Sequence, residues 1–302
     1  MKKRYAAIGG SMLLFTAACG ENEEPAASEP EEKVTFSHIH GAGFTADGEH
    51  ALIPAHDGLR KLENGSWRVS EGEAHDYMGF TMTDSGFYSS GHPSQQTDYA
   101  NPFGLVKSTD QGESIDVLGM EGEVDFHIMD AGYESHVIYA VNPQPHDAMP
   151  ESGLYRSEDE SSWELKNMEG LEGEVLSLSA HPTDSDLAAA GTIDGVYLSR
   201  NEGDTFAPVS TEAPVPALTF LANGNLLYAE GTGTQTKLII ADDGELREIP
   251  APDLKEGDST GYIAQNPKHP DTLLVTTTER DIFYTEDQGN SWEKQADAGR
   301  EL

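Results

Sequence analysis

Apolar residues along this 302-residue chain come in short runs rather than long stripes. Runs such as SHVIYA at 135–140 and TLLVT at 272–276 are rich in β-branched and aromatic side chains and stop at Gly, Asp, Asn or Pro. Short runs with such boundaries predict strands. No long window carries the 3.6-residue spacing of an amphipathic helix. One kind of run recurs at 39–44, 77–81, 126–131, 175–180, 216–220 and 261–265, each time with room for three further strands before the next. Units of about 40–50 residues with four strands have the period of β-propeller blades. The pattern predicts an all-β chain whose residues 33–302 form a six-bladed β-propeller with four-stranded antiparallel blades. A seven-bladed propeller is the alternative, its extra strand drawn from the segment before residue 34.

A repeated turn supports that count. Four stretches share one pattern: STDQGESI at 108–115, SEDESSW at 157–163, SRNEGDTF at 199–206 and TEDQGNSW at 285–292. Asp110, Asp159, Asn201 and Asp287 stand where a side chain can accept hydrogen bonds from nearby backbone N–H groups and tighten the turn. Gly112, Gly203 and Gly289 supply the positive φ of a tight turn. Trp163 and Trp292 close two of the stretches and are expected to pack between neighbouring sheets, as is Trp67. Worn versions stand at 63–67 and 242–245. On these residues the chain resembles the Asp-box, or BNR-repeat, propellers, whose motif is S/T-x-D-x-G-x-T/S-W/F. That resemblance implies a superfamily that includes sialidases and other glycoside hydrolases, sortilin-type receptor ectodomains and photosystem II assembly factors. The chain also looks like Gram-positive lipoproteins labelled glycosyl hydrolase-like, a label that follows the repeat rather than an activity.

The first residues are read as an export signal. Lys2, Lys3 and Arg4 precede a short apolar stretch that ends in Ala17-Ala18-Cys19-Gly20. This end resembles a bacterial lipoprotein signal: residues 1–18 form the signal peptide, and Cys19 is the lipidated mature N-terminus. Thr16 departs from the Leu usual at that position of the signal. Cys19 is the sole cysteine, so the chain has no disulfide framework. The remainder of segment 19–32 is acidic and Pro-containing with hardly any large apolar side chain, the composition of a disordered tether. These features place the protein on the extracytoplasmic face of the cell membrane, held there by the N-terminal lipid alone.

Charge narrows the partners. The formal net charge is -36, from 18 basic and 54 acidic residues. Nucleic acid and anionic lipid surfaces both require a basic face, so neither is a partner of the folded part. An acidic surface of this kind suits a saline or alkaline exterior.

Candidate chemistry concentrates in the first half. Seven of the 11 histidines precede residue 130. The starts of three successive first strands carry His38 and His40, then His75 and Asp76, then Asp125 and His127. His56 and His92 fall at equivalent points on the second strands of the first two blades; His92 joins the ligand set and His56 stands second to it. Alternation along a strand puts His38 and His40 on one side, and likewise Asp125 and His127. Imidazoles beside carboxylates are ligands for a transition metal, zinc or copper, and a metal-free polar pocket is the other reading. His146, His181 and His269 fall in loops and have no role in this reading. Residues 94–102 and 142–150 are expected to be extended surface loops in blades two and three.

Function classes can be ranked from these residues. Sialidases hold a carboxylate with three arginines and carry an F/Y-R-I-P motif, which this chain lacks. Another glycosidase would need two carboxyl groups across the scissile bond, for which Asp76 and Asp125 are candidates by position only. No nucleophile elbow, phosphate loop or dinucleotide fingerprint is present. The leading expectation is therefore a monomeric binding or assembly module that holds a protein, peptide or glycan at the channel mouth. The alternative is a glycoside hydrolase or a metal-dependent hydrolase.

Overall fold

The computed structural model describes residues Lys33–Leu302, so the signal segment, Cys19 and the acidic tether lie outside the described residues. The repeats form six sheets. Blade one holds β1 (Gly43–Phe44), β2 (Ala51–Ala55), β3 (Gly58–Glu63) and β4 (Ser66–Val69). Blade two holds β5 (Asp76–Thr83), β6 (Gly86–His92), β7 (Leu105–Ser108) and β8 (Asp116–Gly119). Blade three holds β9 (Met129–Ala131), β10 (Ile138–Asn142), β11 (Gly153–Ser157) and β12 (Glu164–Leu165). Blade four holds β13 (Val175–Ala180), β14 (Ala188–Thr192), β15 (Gly195–Ser199) and β16 (Ala207–Ser210). Blade five holds β17 (Ala217–Phe220), β18 (Leu226–Glu230), β19 (Lys237–Asp242) and β20 (Glu245–Ile249). Blade six has five strands: β21 (Thr260–Gln265), β22 (Leu273–Thr277), β23 (Ile282–Thr285), β24 (Glu293–Asp297) and β25 (Arg300–Glu301). Every pairing of these strands is antiparallel, and the first strand of each blade adjoins the first strand of the next until β21 meets β1. This closed ring is a six-bladed β-propeller.

No single central core holds it together. The buried apolar side chains fall into six clusters, one at each interface between adjacent blades. Tyr88 and Leu105 of blade two, for example, pack on Phe126, Ile138 and Tyr155 in and just before blade three. The repeated turns join third to fourth strands. In blade two the Ser108 hydroxyl donates to Asp110 at 2.8 Å and accepts from the Gly112 N–H at 2.9 Å, while the Ser114 N–H donates to Asp110 at 2.9 Å. Thr285, Asp287, Gly289 and Ser291 repeat this in blade six. Ser199, Asn201, Gly203 and Thr205 do so in blade four. Asp159 holds the shorter turn of blade three through the N–H groups of Ser161 and Ser162. The worn turns are tight Asn-Gly and Asp-Gly hairpins, with φ of 52° and 78° at Asn64 and Gly65, and 45° and 90° at Asp243 and Gly244. Trp67 is buried as expected, whereas Trp163 and Trp292 are only partly covered by the clusters they touch.

Three departures from the strand pattern have local causes. β1 is shorter than the run 39–44, and only an isolated bridge between Ile39 and Ala55 continues it. Gly41 and Gly43 lie so close to blade two that a Cβ would stand 2.7 Å from Phe80 and 2.2 Å from Met82. β9 starts late because the Phe126 N–H donates to the Ser90 hydroxyl of blade two at 2.9 Å instead of joining its own ladder. The fifth strand of blade six is two residues long and carries no apolar alternation to betray it. It seals the ring: the Val34 N–H donates to Glu301 Oε2 at 2.9 Å, the Glu301 N–H donates to the Val34 carbonyl at 3.1 Å, and the Trp67 N–H donates to Glu301 Oε1 at 3.1 Å.

Candidate functional site

In an up-and-down blade, the start of strand one, the end of strand two and the start of strand three share one end of the propeller. The loops at 93–104 and 143–152, between strands two and three of blades two and three, emerge at that same end. The candidate residues therefore meet on one face. In blade one, the His40 N–H donates to the Pro54 carbonyl and the His56 N–H to the His38 carbonyl, both at 3.1 Å. That pairing gathers three imidazoles, with ring centroids 6.2 Å apart for His38 and His40, 6.2 Å for His38 and His56, and 6.5 Å for His40 and His56. Asp76 opens β5 and reaches across from blade two. Its Oδ1 lies 3.4 Å from His40 Nε2 and its Oδ2 lies 2.7 Å from His56 Nδ1.

A second group adjoins the first. His92 ends β6 directly across the ladder from Asp76. Its Nε2 lies 3.2 Å from Asp125 Oδ2, and its Nδ1 lies 2.7 Å from Asn101 Oδ1. His127 Nδ1 is 3.5 Å from the same Asp125 oxygen. The structure thus brings together His38, His40, His56 and Asp76, and beside them His92, Asp125 and His127.

His75 does not join them. Adjacent residues of a strand point to opposite faces, so the side chain before Asp76 turns away from Asp76's partners. Its Nδ1 accepts the Ser94 N–H at 3.0 Å, and its ring packs on Tyr77, Tyr99 and Phe103. His75 is an anchor for the loop of blade two, and burial lowers its pKa.

Sequence patterns had no signal for two polar contacts of the long loops, of which the first alone touches the His/Asp group. Asn101, held before a cis Asn101-Pro102 bond, supplies the oxygen that orients His92. His146, which had no role in the sequence reading, is nearly buried and its Nδ1 lies 3.1 Å from Glu123 Oε2. Both come from the long loops, whose paths no periodicity describes.

Electrostatics mark His40 and Asp76 as the strained members. Burial, then the neighbouring His38, His56, His127 and His92, depress the His40 pKa from 6.5 to about 4. His40 is thus neutral at neutral pH. Burial pushes the Asp76 carboxyl up and Asp125 adds to that, while His56 and His92 oppose it. Asp76 is 6 % exposed, yet neither of its oxygens receives a well-aligned hydrogen bond, and His40 Nε2 and Asp125 Oδ1 are buried in the same state. A buried polar atom without a partner costs on the order of 1–3 kcal/mol.

The central channel forms a separate cavity of about 330 Å³, lined by the first strands of all six blades. Phe44, Phe80, Met129 and Phe220 make much of its wall apolar, and His127 is the member of the His/Asp group that reaches it. The group is therefore centred between blades one, two and three rather than on the channel axis. Buried in the wall, Asp130 accepts hydrogen bonds from the Thr81 hydroxyl of blade two and, at 2.8 Å, from the Ala180 N–H of blade four. That staple joins three blades, and burial raises the Asp130 pKa.

Among the described residues, no helix is long and apolar enough to cross a membrane. No family model matches the chain, and no curated protein matches it. Solved structures do. A structure of YCF48 bound to a D1 peptide aligns at 14 % identity and a TM-score of 0.50, covering 89 % of this chain and 86 % of that one. The GH74 xyloglucanase from Xanthomonas campestris aligns at 16 % identity and a TM-score of 0.54, covering 88 % of this chain and 46 % of the enzyme. The GH74 enzyme from Niastella koreensis aligns at 13 % identity and a TM-score of 0.55, covering 87 % and 46 %. This chain thus spans about half the length of the GH74 enzymes it resembles. At these identities the likeness is one of fold, and the chain shares its propeller architecture with a peptide-bound protein and with enzymes alike.

Proposed function

We propose that the protein is an extracytoplasmic recognition module, lipid-anchored at Cys19, that holds a peptide segment of a protein partner on the His/Asp face. The observation that carries this reading is the convergence, between blades one, two and three, of five imidazoles and two carboxylates with buried atoms left unpartnered. Polar groups held in this way by rigid strands and flanked by two long loops suit directional recognition. The peptide carried by YCF48 on a similar fold favours a peptide over a glycan. The protein acts as a monomer, with Cys19 and the acidic tether setting its distance from the membrane.

The test is to pan the purified full chain against a displayed peptide library and measure the enriched peptides by titration. Binding weakened at least about tenfold by His56→Ala or Asp125→Asn supports the reading, since a lost charged hydrogen bond is worth about 1.5–3 kcal/mol. Peptides that bind both variants as they bind the native chain would place recognition elsewhere and remove it. The anchor has its own assay: Cys19→Ala is expected to move the protein from the membrane fraction to the medium.

Carbohydrate hydrolysis is a second reading, favoured by one observation. Asp76 has a raised carboxyl pKa and stands near Asp125, as an acid and base pair of a glycosidase would. Turnover of xyloglucan or another β-glucan, abolished by Asp76→Asn and by Asp125→Asn, would establish it in place of recognition.

A further inference from the structure

Asp76, His40, His56 and His38 form an arrangement that hydrogen bonding alone does not explain. One ligand atom each from His40, His56 and Asp76 lie within 4.8 Å of one another. The two imidazole nitrogens stand 3.4 Å and 2.7 Å from separate oxygens of the one carboxylate, yet no well-aligned hydrogen bond reaches either oxygen. His40 Nε2 is buried with no partner either. His56 and His40 thus both aim a ring nitrogen at the one carboxylate, with His40 Nε2 buried and at a distance too long for a strong hydrogen bond. We infer that these side chains converge on a divalent transition-metal ion, held by His40, His56 and Asp76 with His38 as the fourth ligand.

The ring positions agree with this geometry. In a tetrahedral site with metal–nitrogen bonds of about 2.0–2.1 Å, imidazole centroids stand roughly 5 Å apart. The centroids of His38, His40 and His56 are 6.2–6.5 Å apart. The inward movement required is about an ångström, and His56, at 64 % side-chain exposure, is free to make it. The donor set selects the ion. Three imidazoles and one carboxylate suit borderline ions such as Zn²⁺ and Cu²⁺, whereas Ca²⁺ and Mg²⁺ prefer oxygen throughout. The ion also offsets what the protein otherwise leaves uncompensated, a buried carboxylate and a buried imidazole nitrogen. A chain with a formal net charge of -36 raises the local concentration of cations at such a site. His92, Asp125 and His127 form the neighbouring wall, close enough for His92 and His127 to act electrostatically on His40.

This inference rests on the reading of the His/Asp face as a ligand-holding face, and the experiment keeps the two apart. The full chain, stripped with a chelator, is titrated with Zn²⁺ and Cu²⁺, and Co²⁺ is added separately to record its visible absorption. One equivalent of ion, and the intense absorption of tetrahedral Co²⁺, are expected. His40→Ala, His56→Ala and Asp76→Asn should each weaken binding by about 100-fold or more, since even outer partners of a metal site carry about 10–100-fold. His75→Ala, whose ring serves the loop of blade two instead, should bind the ion as the native chain does. The exposed His56 makes His56→Ala the variant surest to fold, with its unfolding midpoint as the check. Absence of stoichiometric ion, or ion binding that His56→Ala and Asp76→Asn leave intact, overturns the metal site. Peptide binding that survives the chelator while no ion binds removes the metal and leaves recognition standing. Ion binding with no selected peptide keeps the metal and removes recognition.

Discussion

At the start of its first strand blade two places Asp76, and at the same point blade four places Val175 and blade six Thr260. Where blades one and two end their second strands beside His56 and His92, blade four continues into Ile193 and Asp194, a two-residue turn. The second and third strands of blades two and three are joined by the long loops at 93–104 and 143–152, whereas no loop in blade four, five or six approaches that length at the same point. The repeated Ser/Thr-x-Asp/Asn turn, in contrast, holds blades two, four and six with the same hydrogen bonds. Blade three has a shortened version in which Asp159 accepts from Ser161 and Ser162. Repetition serves the ring, where every blade must pack on two neighbours. The candidate site is confined to one half, at strand ends and loops rather than in the clusters between blades.

That contrast can be broken at several points, in decreasing order of effect. Phe126→Ala and Phe283→Ala each empty an interface cluster, so each should cost about 3–5 kcal/mol in urea unfolding. Phe126 lies between Asp125 and His127, so its loss should also impair ligand binding, whereas Phe283→Ala should leave the face intact. Equal loss of binding in both variants would show that the face depends on the whole ring.

A second test uses pH on chelator-treated protein. His40 titrates near 4 when folded and near 6.5 when unfolded. Between those values the unfolded chain binds the extra proton, so native stability is full above 6.5 and falls as pH drops toward 4, by about 3 kcal/mol at most. His40→Gln should flatten this part of the stability profile. Burial also lowers the His181 pKa in blade four, so His181→Gln is the matching substitution in the other half of the ring and should flatten the profile in the same direction.

Smaller effects should be equal in the two halves. Ser108→Ala and Thr285→Val each leave a buried turn N–H, of Gly112 or Gly289, without its acceptor. Both should cost about 1–2 kcal/mol by thermal or urea unfolding, with ligand binding unchanged. A markedly larger loss in blade six would show that the closing blade depends more on its turn.

The smallest effect has the opposite sign. Burial raises the Asp76 pKa, so in chelator-treated protein its stability contribution is complete below the ordinary Asp range and declines as pH rises through the folded value. Asp76→Asn should therefore unfold at slightly higher urea than the native chain at pH 7, and the gain should vanish in acid. Unchanged stability across that range would mean that the carboxylate is compensated in a way that its immediate neighbours do not reveal.

Much of the fold was legible because its rules are local. The run 175–180 became β13 without change, and the runs 216–220 and 261–265 became β17 and β21 to within one residue. Alternation and turn chemistry act over a few residues, so the chain displays them in order. Legibility failed where a strand is pinned by another blade, as at Phe126 on Ser90, or carries too few residues for a pattern, as in β25.

The candidate site divides along the same line. Repeat-equivalent positions were sufficient to pick out His38, His40, His56, Asp76, His92, Asp125 and His127 as one group. They did not separate His75 from Asp76, although strand alternation contains that distinction, because the strand's phase relative to blade one was not readable. The roles of Asn101 and His146 and the Asp130 staple had no local signal.

By itself, then, the sequence determined the strand order, the blade repeat with six or seven units, the positions of the repeated turns and the half of the ring that carries imidazoles. Each of these follows from side chains acting on their own stretch of backbone. The closed count of six came from the structure. Only the tertiary structure decided which imidazole nitrogen faces which carboxylate oxygen, and that His75 serves a loop while Asp76 serves the site. Those contacts span separate blades, and their geometry is set by how the blades pack into a closed ring.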